Sequence, residues 1–568
     1  MLKTIFSSLL ICTSLSASAQ FYGWSKSIGG SGADTCAALA VDNQANLYIL
    51  GSFSGTGEFR NDSISDKLTS SGNDDVFLQK RTKKGKYLFS KKIGGKGNDR
   101  PSNMIYYKGA LYISGTIEDT VDFGIEKVAP IGKAKRSVFL AKMDTLGKCI
   151  WVKTIGDSAL SRARSLAVNK DGIYLSGEIS GKVDNVNQNN AMFIQKRDFN
   201  GSIIWTKTFG SKRNVVSNAI ATDSIGNIYN VGALIGLNVS FKPLPSKDSL
   251  LSSIFNTIAD IFIQKLNANG ELIWAKKTGA TAADEANTIV IKGTEVYIAG
   301  YFNGTVDFDF STAGTSNLKS NGGKDIFVSK YDLNGKLTWV KQIGNTKDET
   351  ARQLEIDKYK NIYLSGTFNN SAGTTTDFMG KPMGTAGSND AFCIKFDTQG
   401  KIKVDKDGKF LAQKFAGAGS VSDLGTAIIA DTMNNVFISG SYVGSISLDP
   451  SAKANISVGT NDIFIYKSLL FPDSDGNNGT GTSSITENSL HINLYPNPVS
   501  DKVYFTFDQL TESATIAIST ISGQTIKSKE LAIGQVSDSF EMQDLTPGIY
   551  FVNITSGKNM NTYKLNKQ

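Results

Sequence analysis

The sequence predicts an all-β chain: a seven-bladed β-propeller closed by an N-terminal strand, followed by a small C-terminal Ig-like β-sandwich. Three observations predict it. Short strand signatures recur seven times across residues 20–467. The stretch that opens this region, FYGWSKSIGG at 21–30, resembles the close of each later repeat and not its start. Beyond a polar linker, residues 491–568 leave the repeat for new runs of alternating apolar and polar residues.

The first signature is an apolar strand ending in glycine: NLYILG (46–51), ALYISG (110–115), GIYLSG (172–177), NIYNVG (227–232), EVYIAG (295–300), NIYLSG (361–366) and NVFISG (435–440). The second holds a phenylalanine and closes on a lysine, as in DVFLQK (75–80), DIFIQK (260–265) and DIFIYK (462–467). The third sets an aromatic residue ahead of a lysine, at Trp24, Phe89, Trp151, Trp205, Trp274, Trp339 and Phe410, the last with altered spacing. An apolar run such as ALAVD (38–42) or AIATD (219–223) precedes the first signature. Alternation and β-branched or aromatic content make all four strands, and DNQAN or DLNGK between them make turns. Each unit therefore holds strands A, B, C and D in roughly 64 residues, and seven such four-stranded units read as the blades of a propeller. The seventh unit stops after its C strand, and residues 22–28 supply the missing D strand. Pairing the two closes the ring and removes two exposed sheet edges.

The first twenty residues, MLKTIFSSLLICTSLSASAQ, carry a lysine, an apolar core and Ala17-Ser18-Ala19, so 1–19 is expected to be a signal peptide. Cys12 follows Ile11, which does not suit lipid attachment. Cys36, Cys149 and Cys393 are too few and too far apart for a disulfide framework or a zinc site and are expected to be buried. The formal charge of +8 is scattered, and a denser stretch at 80–100 reads as a solvated turn and strand edge. Neither nucleic-acid binding nor a transmembrane segment is expected, and the chain is expected to act as a monomer. Residues 468–490, rich in Gly, Asn, Ser and Thr, form a flexible linker.

The pattern Trp-x-Lys-x-x-Gly, Asp, an AVD-like strand, N-x-Y-x-x-G and D-x-F-x-x-K over about 21–467 resembles the SBBP-type bacterial β-propeller repeat, which implies fold and not activity. The third unit departs from it at GEISGKVDNVNQNN. Residues 491–568 resemble the C-terminal sorting domain of type IX secretion substrates. The resemblance rests on Tyr495-Pro496-Asn497-Pro498, on Pro547-Gly548 with Tyr550, and on Lys564 and Lys567. It implies a small β-sandwich, the type IX secretion machinery as partner, and Sec-then-type IX export to the surface or surroundings of a Gram-negative bacterium.

Chemistry is sparse. The one histidine, His491, precedes the sorting landmarks, which excludes a histidine triad or multi-histidine metal centre from the repeats. No catalytic residue, metal site or cofactor is predicted. The five tryptophans share one register and read as blade-to-blade packing, not as sugar platforms. GGSGAD (29–34) and GGKGND (94–99) look like calcium turns, but lack the tandem nine-residue spacing those need. Asp34, Asp99, Asp284, Asp348 and Asp423 recur at the ends of the D-to-A loops, either as structural hydrogen-bond acceptors or as a ring that binds cations or ligand. DSDGNN (473–478) and DKDG (405–408) lack the distal glutamate of an EF-hand. Triplets such as DSI at 62–64 and 223–225 resemble bacterial O-glycosylation acceptors.

Three functions stay open at this point: recognition of an extracellular glycan or protein, hydrolysis or elimination on an extracellular polymer, and a structural surface role. Recognition is favoured because no unrepeated nucleophile or acid pair stands out. In an antiparallel unit the B–C and D–A connections share one face. The B–C connection varies most and is longest in the fourth unit, so a ligand is expected there. Pro243, Pro245, Leu250, Leu251 and Phe255 would then line its wall, unless the apolar residues fold back as a short helix.

Overall fold

The computed structural model describes residues 22–468 and 492–568 apart from short internal segments, the longest being 243–249, 370–388 and 404–411. The chain divides into two compact units, Met1–Asp473 and Ser474–Gln568. Every regular element among the described residues is a strand.

The first unit contains five four-stranded antiparallel sheets, each made of consecutive A to D strands, and one eight-stranded sheet. The larger sheet joins Leu424–Ala430, Val436–Tyr442 and Asp462–Ser468 to Tyr22–Gly30, and through that strand to Thr35–Val41, Leu47–Glu58, Lys67–Arg81 and Tyr87–Ile93. The opening strand runs antiparallel to Asp462–Ser468, with Trp24 opposite Lys467 and Ile28 opposite Ile463. The A strands pack in a closed circuit. Thr35–Val41 meets Arg100–Tyr107, followed by Arg162–Asn169, Val215–Thr222, Glu285–Lys292, Glu349–Ile356 and Leu424–Ala430, which returns to Thr35–Val41.

The repeated residues show why the sheets take this form. The glycine ending each B strand lies opposite the phenylalanine of the C strand, as Gly51 opposite Phe77 and Gly440 opposite Phe464. A Cβ at position 51 would lie 2.5 Å from the Phe77 ring, so only glycine lets the ring lie flat across the strand. Every A strand carries a one-residue bulge at the same place, between Cys36 and Ala38 or between Ala286 and Thr288 for example. Bulged residues reach across the circuit: Ser102 Oγ donates to Ala163 O at 2.9 Å and Asn287 Nδ2 to Ala351 O at 2.9 Å.

Adjacent sheets are joined on the A–B/C–D side by lysine and tryptophan. Lys142 Nζ and Trp151 Nε1 both donate to Phe199 O in the next C–D turn, at 3.5 and 3.1 Å. Lys196 and Trp205 converge in the same way on Ala268 O, and Lys467 and Trp24 on Lys83 O. Each C-strand lysine also lies over the B-strand ring, from Lys80 over Tyr48 at 4.7 Å to Lys467 over Phe437 at 5.8 Å. The tryptophans are half-buried against the turn glycines, and Cys36, Cys149 and Cys393 are buried thiols outside any disulfide.

In the second unit one sheet joins Ile492–Tyr495, Lys502–Phe507 and Ser537–Glu541. The other joins Thr525–Leu531, Ala514–Thr520, Gly548–Ser556 and Asn559–Lys567. Val503 and Phe505 of one sheet share a core with Ile516, Ile518 and Val552 of the other.

Ile28 is buried at the junction of the first and last strands of the circuit. Ile28→Ala should destabilise the first unit by about 2–5 kcal/mol, and deleting 22–30 should abolish its cooperative transition. An unchanged denaturation midpoint in both variants would show that this pairing contributes nothing.

Candidate functional site

The D–A and B–C loops form the face opposite the lysine–tryptophan joints. Each described D–A loop of one type places an acid five positions after a glycine. The acid's carboxylate then accepts from a backbone N–H four residues back: Gly30 N to Asp34 (2.7 Å), Gly95 N to Asp99 (2.7 Å), Ala280 N to Asp284 (2.6 Å) and Asn345 N to Glu349 (2.9 Å). The acid's own N–H donates to the carbonyl before the C-strand aspartate, as Asp99 N to Asp74 O at 2.7 Å. A second carboxyl consequently faces each of the four: Asp462, Asp75, Asp260 and Asp325 in turn.

All four loop acids are buried. Burial, reinforced by the facing carboxylate, raises Asp34 to about 7, Asp99 to about 6, Asp284 to about 7 and Glu349 to about 8, against the backbone donors that favour the anion.

The structure corrects one member of the expected ring. Asp348 is exposed and accepts from Lys324 N at 2.9 Å, while Glu349 occupies the buried position. Hydrogen-bond geometry selects the position and tolerates either acid. Counting five residues from Gly29, Gly94, Gly279 and Gly344, instead of matching aspartates, would have found it. Asp423 lies outside the described residues, as do Pro243, Pro245 and Phe255. In that same connection Leu250–Leu251 forms a two-residue strand paired with Val239–Ser240, not a helix. Leu251 packs against the core with Phe241 and Phe262, so it is no exposed wall.

Two cavities open among these elements. The larger, about 390 Å³, is the channel inside the circuit, lined by A-strand residues including Tyr106, Asn218, Asn287, Arg352 and Glu355. Burial raises Glu355 to about 8 against the opposing charge of Lys292. The smaller, about 220 Å³, lies where the second and third sheets meet on the loop face. Arg100, Arg136, Arg162 and Arg164 line it, with Glu118 as the one carboxylate among its lining residues. Arg136 Nε donates to Glu118 at 3.0 Å, Arg164 Nε to Glu178 at 3.0 Å and Arg100 Nε to Asp74 at 2.7 Å. Despite partial burial, Arg136 and Asn98 hold Glu118 below the usual carboxylate range. Sequence reasoning missed this pocket because its arginines come from the A strands of two units, Arg100 on one and Arg162 and Arg164 on the other, together with Arg136 of a B–C connection. Neither cavity is lined by the two accessible carboxyls that glycoside hydrolysis requires.

In the second unit Tyr495 pairs with Tyr504, Lys564 with Phe551 and Lys567 with Gly548. Tyr550 is buried and donates to Thr546 O at 2.8 Å. Pro547 precedes that strand, while Pro496, Asn497, Pro498 and His491 lie outside the described residues. Residues 493–568 match the family described as the secretion system C-terminal sorting domain. They are a type IX secretion sorting domain. The sorting domain directs the protein to the cell surface or extracellular space.

Among curated proteins the chain is 23% identical over 252 residues to an uncharacterized WD repeat-containing protein, L264, of Acanthamoeba polyphaga mimivirus. That match covers 40% of this chain and 17% of the viral protein. It is 23% identical over 311 residues to the regulatory protein FlaEY of Caulobacter vibrioides, covering 50% of this chain and 32% of that protein. The chain thus spans a third or less of these relatives. Among solved structures, a phage phi92 endosialidase aligns with TM-score 0.35 and 9% identity over 83% of this chain and 73% of that one. A family 43 arabinoxylan arabinofuranohydrolase from Bacillus subtilis aligns with TM-score 0.26 and 12% identity over 95% and 96%.

Removing residues 491–568 should leave the protein in the periplasm, read by cell fractionation; undiminished surface display would contradict the assignment. The raised carboxyls also set a pH dependence. From the ordinary carboxylate range up to about pH 8 the folded chain holds protons that the unfolded chain has released. Stability in chelator-containing buffer should therefore fall as pH rises through that window. Glu349→Gln should flatten the slope, as measured by denaturation midpoints at pH 5 and pH 8.

Proposed function

We propose that the protein is an exported, non-catalytic recognition protein whose D–A/B–C face binds an acidic extracellular glycan. Its first unit reads as a seven-bladed β-propeller closed by the N-terminal strand, and its sorting domain as an Ig-like sandwich. Support for the first comes from the closed circuit of A strands and the shared register of every sheet. The observation that carries the ligand class is the pocket at the second and third sheets. Four guanidinium groups line a cavity of about 220 Å³ there, and although Arg100, Arg136 and Arg164 are ion-paired to Asp74, Glu118 and Glu178, a net positive charge remains. Planar, permanently charged donors suit the carboxylate or sulfate of an acidic sugar. The carboxyl pairs elsewhere on this face are buried, so a polymer does not reach them.

The test is an array of neutral and acidic polysaccharides, run with the full chain beside a turnover assay. Acidic polymers should bind in a salt-dependent way and remain intact. The Arg100 side chain is 63% exposed, and Arg162 is exposed as well, so Arg100→Ala with Arg162→Ala should preserve the melting temperature. That double variant should weaken binding by about tenfold or more. Equal binding of neutral polymers, or chain cleavage, would overturn the reading.

A further inference from the structure

Joints between the sheets are built from residues that recur, such as the C-strand lysine. The residues at the A-strand bulges do not recur. Asn218, Asn287 and Arg352 hold the bulge on three consecutive A strands, while the first strand has only Ala37 there. All four line the channel inside the circuit, so its end nearest the D–A loops is polar along one arc.

The amides of this arc are already oriented. Asn218 Nδ2 donates to Ala286 O at 3.1 Å and Asn287 Nδ2 to Ala351 O at 2.9 Å, which leaves each Oδ1 as an acceptor for the cavity. Beside them Ser165 Oγ accepts from Ile220 N and Thr288 Oγ1 from Leu354 N, both at 3.1 Å. Each of these hydroxyls keeps its own proton for a further acceptor. Fixed acceptors interspersed with donors match the hydroxyl groups of a sugar, which both give and take hydrogen bonds. Arg352 adds a cation. It is exposed and makes no ion pair among the described residues, unlike Arg100, Arg136 and Arg164. Glu355, the one carboxyl in the lining, lies farther along the same strand, where burial favours its neutral form. It therefore does not oppose an anion held by Arg352.

The channel and the arginine pocket adjoin. Ser102 and Arg164 line the pocket, and the residues that follow them, Asn103 and Ser165, line the channel. A cavity of about 390 Å³ is the size of a small-ligand site, and a closed circuit of strands walls it. A polymer lying in the arginine pocket can enter the channel only by its end.

We propose, building on the acidic-glycan reading, that the channel takes the terminal sugar of the glycan whose next units lie on the arginine pocket, so that the protein recognises chain ends. Asn218, Asn287, Ser165 and Thr288 hold the hydroxyls of that sugar, and Arg352 holds its carboxylate.

The full chain is titrated by calorimetry with uronic-acid oligosaccharides fractionated by length. The protein bound per chain should stay constant as the chains lengthen. Arg352→Ala, at an exposed position, should keep the melting temperature and weaken binding by about tenfold. Protein bound in proportion to chain length would overturn end recognition alone and leave the acidic-glycan reading standing. Unchanged affinity in Arg352→Ala, with affinity lost in Arg100→Ala with Arg162→Ala, would do the same. Absence of binding at every length would remove both.

Discussion

A main-chain carbonyl at the tip of the C–D turn, met by a lysine, a tryptophan or both at six described sheet junctions, is the point on which the first unit depends. A sheet of four short strands cannot bury both faces alone, so it must be held against a neighbour. Where lysine and tryptophan donate to one carbonyl of the next sheet, the ammonium is desolvated on a tyrosine ring and the indole nitrogen is satisfied. Both donors come from motif positions that recur in the sequence. Their spacing along strands C and D is thereby fixed by the distance to a neighbouring turn, not by any ligand.

That constraint divides the two faces. Turns such as Asp332–Lys336 are short and closed by an aspartate that accepts from N–H groups two and four residues on. They cannot vary without breaking the joint to the preceding sheet. The opposite loops carry only the glycine-to-acid bracket, which anchors one end and leaves the rest free to change.

Strand order was legible because each residue that matters recurs: the glycine that clears space for phenylalanine, the lysine and aromatic that reach the next turn. The closing strand was legible because Trp24 and Lys26 repeat the D-strand pattern. Legibility ended where chemistry is pairwise and non-repeating. The Arg100–Arg164 pocket joins residues of two units. Glu349 was hidden for a related reason, since a neighbouring aspartate one residue earlier imitates the repeat while pointing to solvent.

The strand at 22–30 also has a temporal meaning. Ser27 is hydrogen-bonded to Tyr442, 415 positions away, at 2.6 Å. Loop closure over such a span is slow, and the partner strand is made after every other strand of the first unit. Until then the N-terminal strand presents open N–H and C=O groups, and the sheet that joins the two ends of the circuit stays incomplete. The circuit consequently acts as a completion gate: a chain stopped before Asp462 keeps one raw edge, which marks it for chaperones and proteases, while a chain that includes Asp462–Ser468 seals itself.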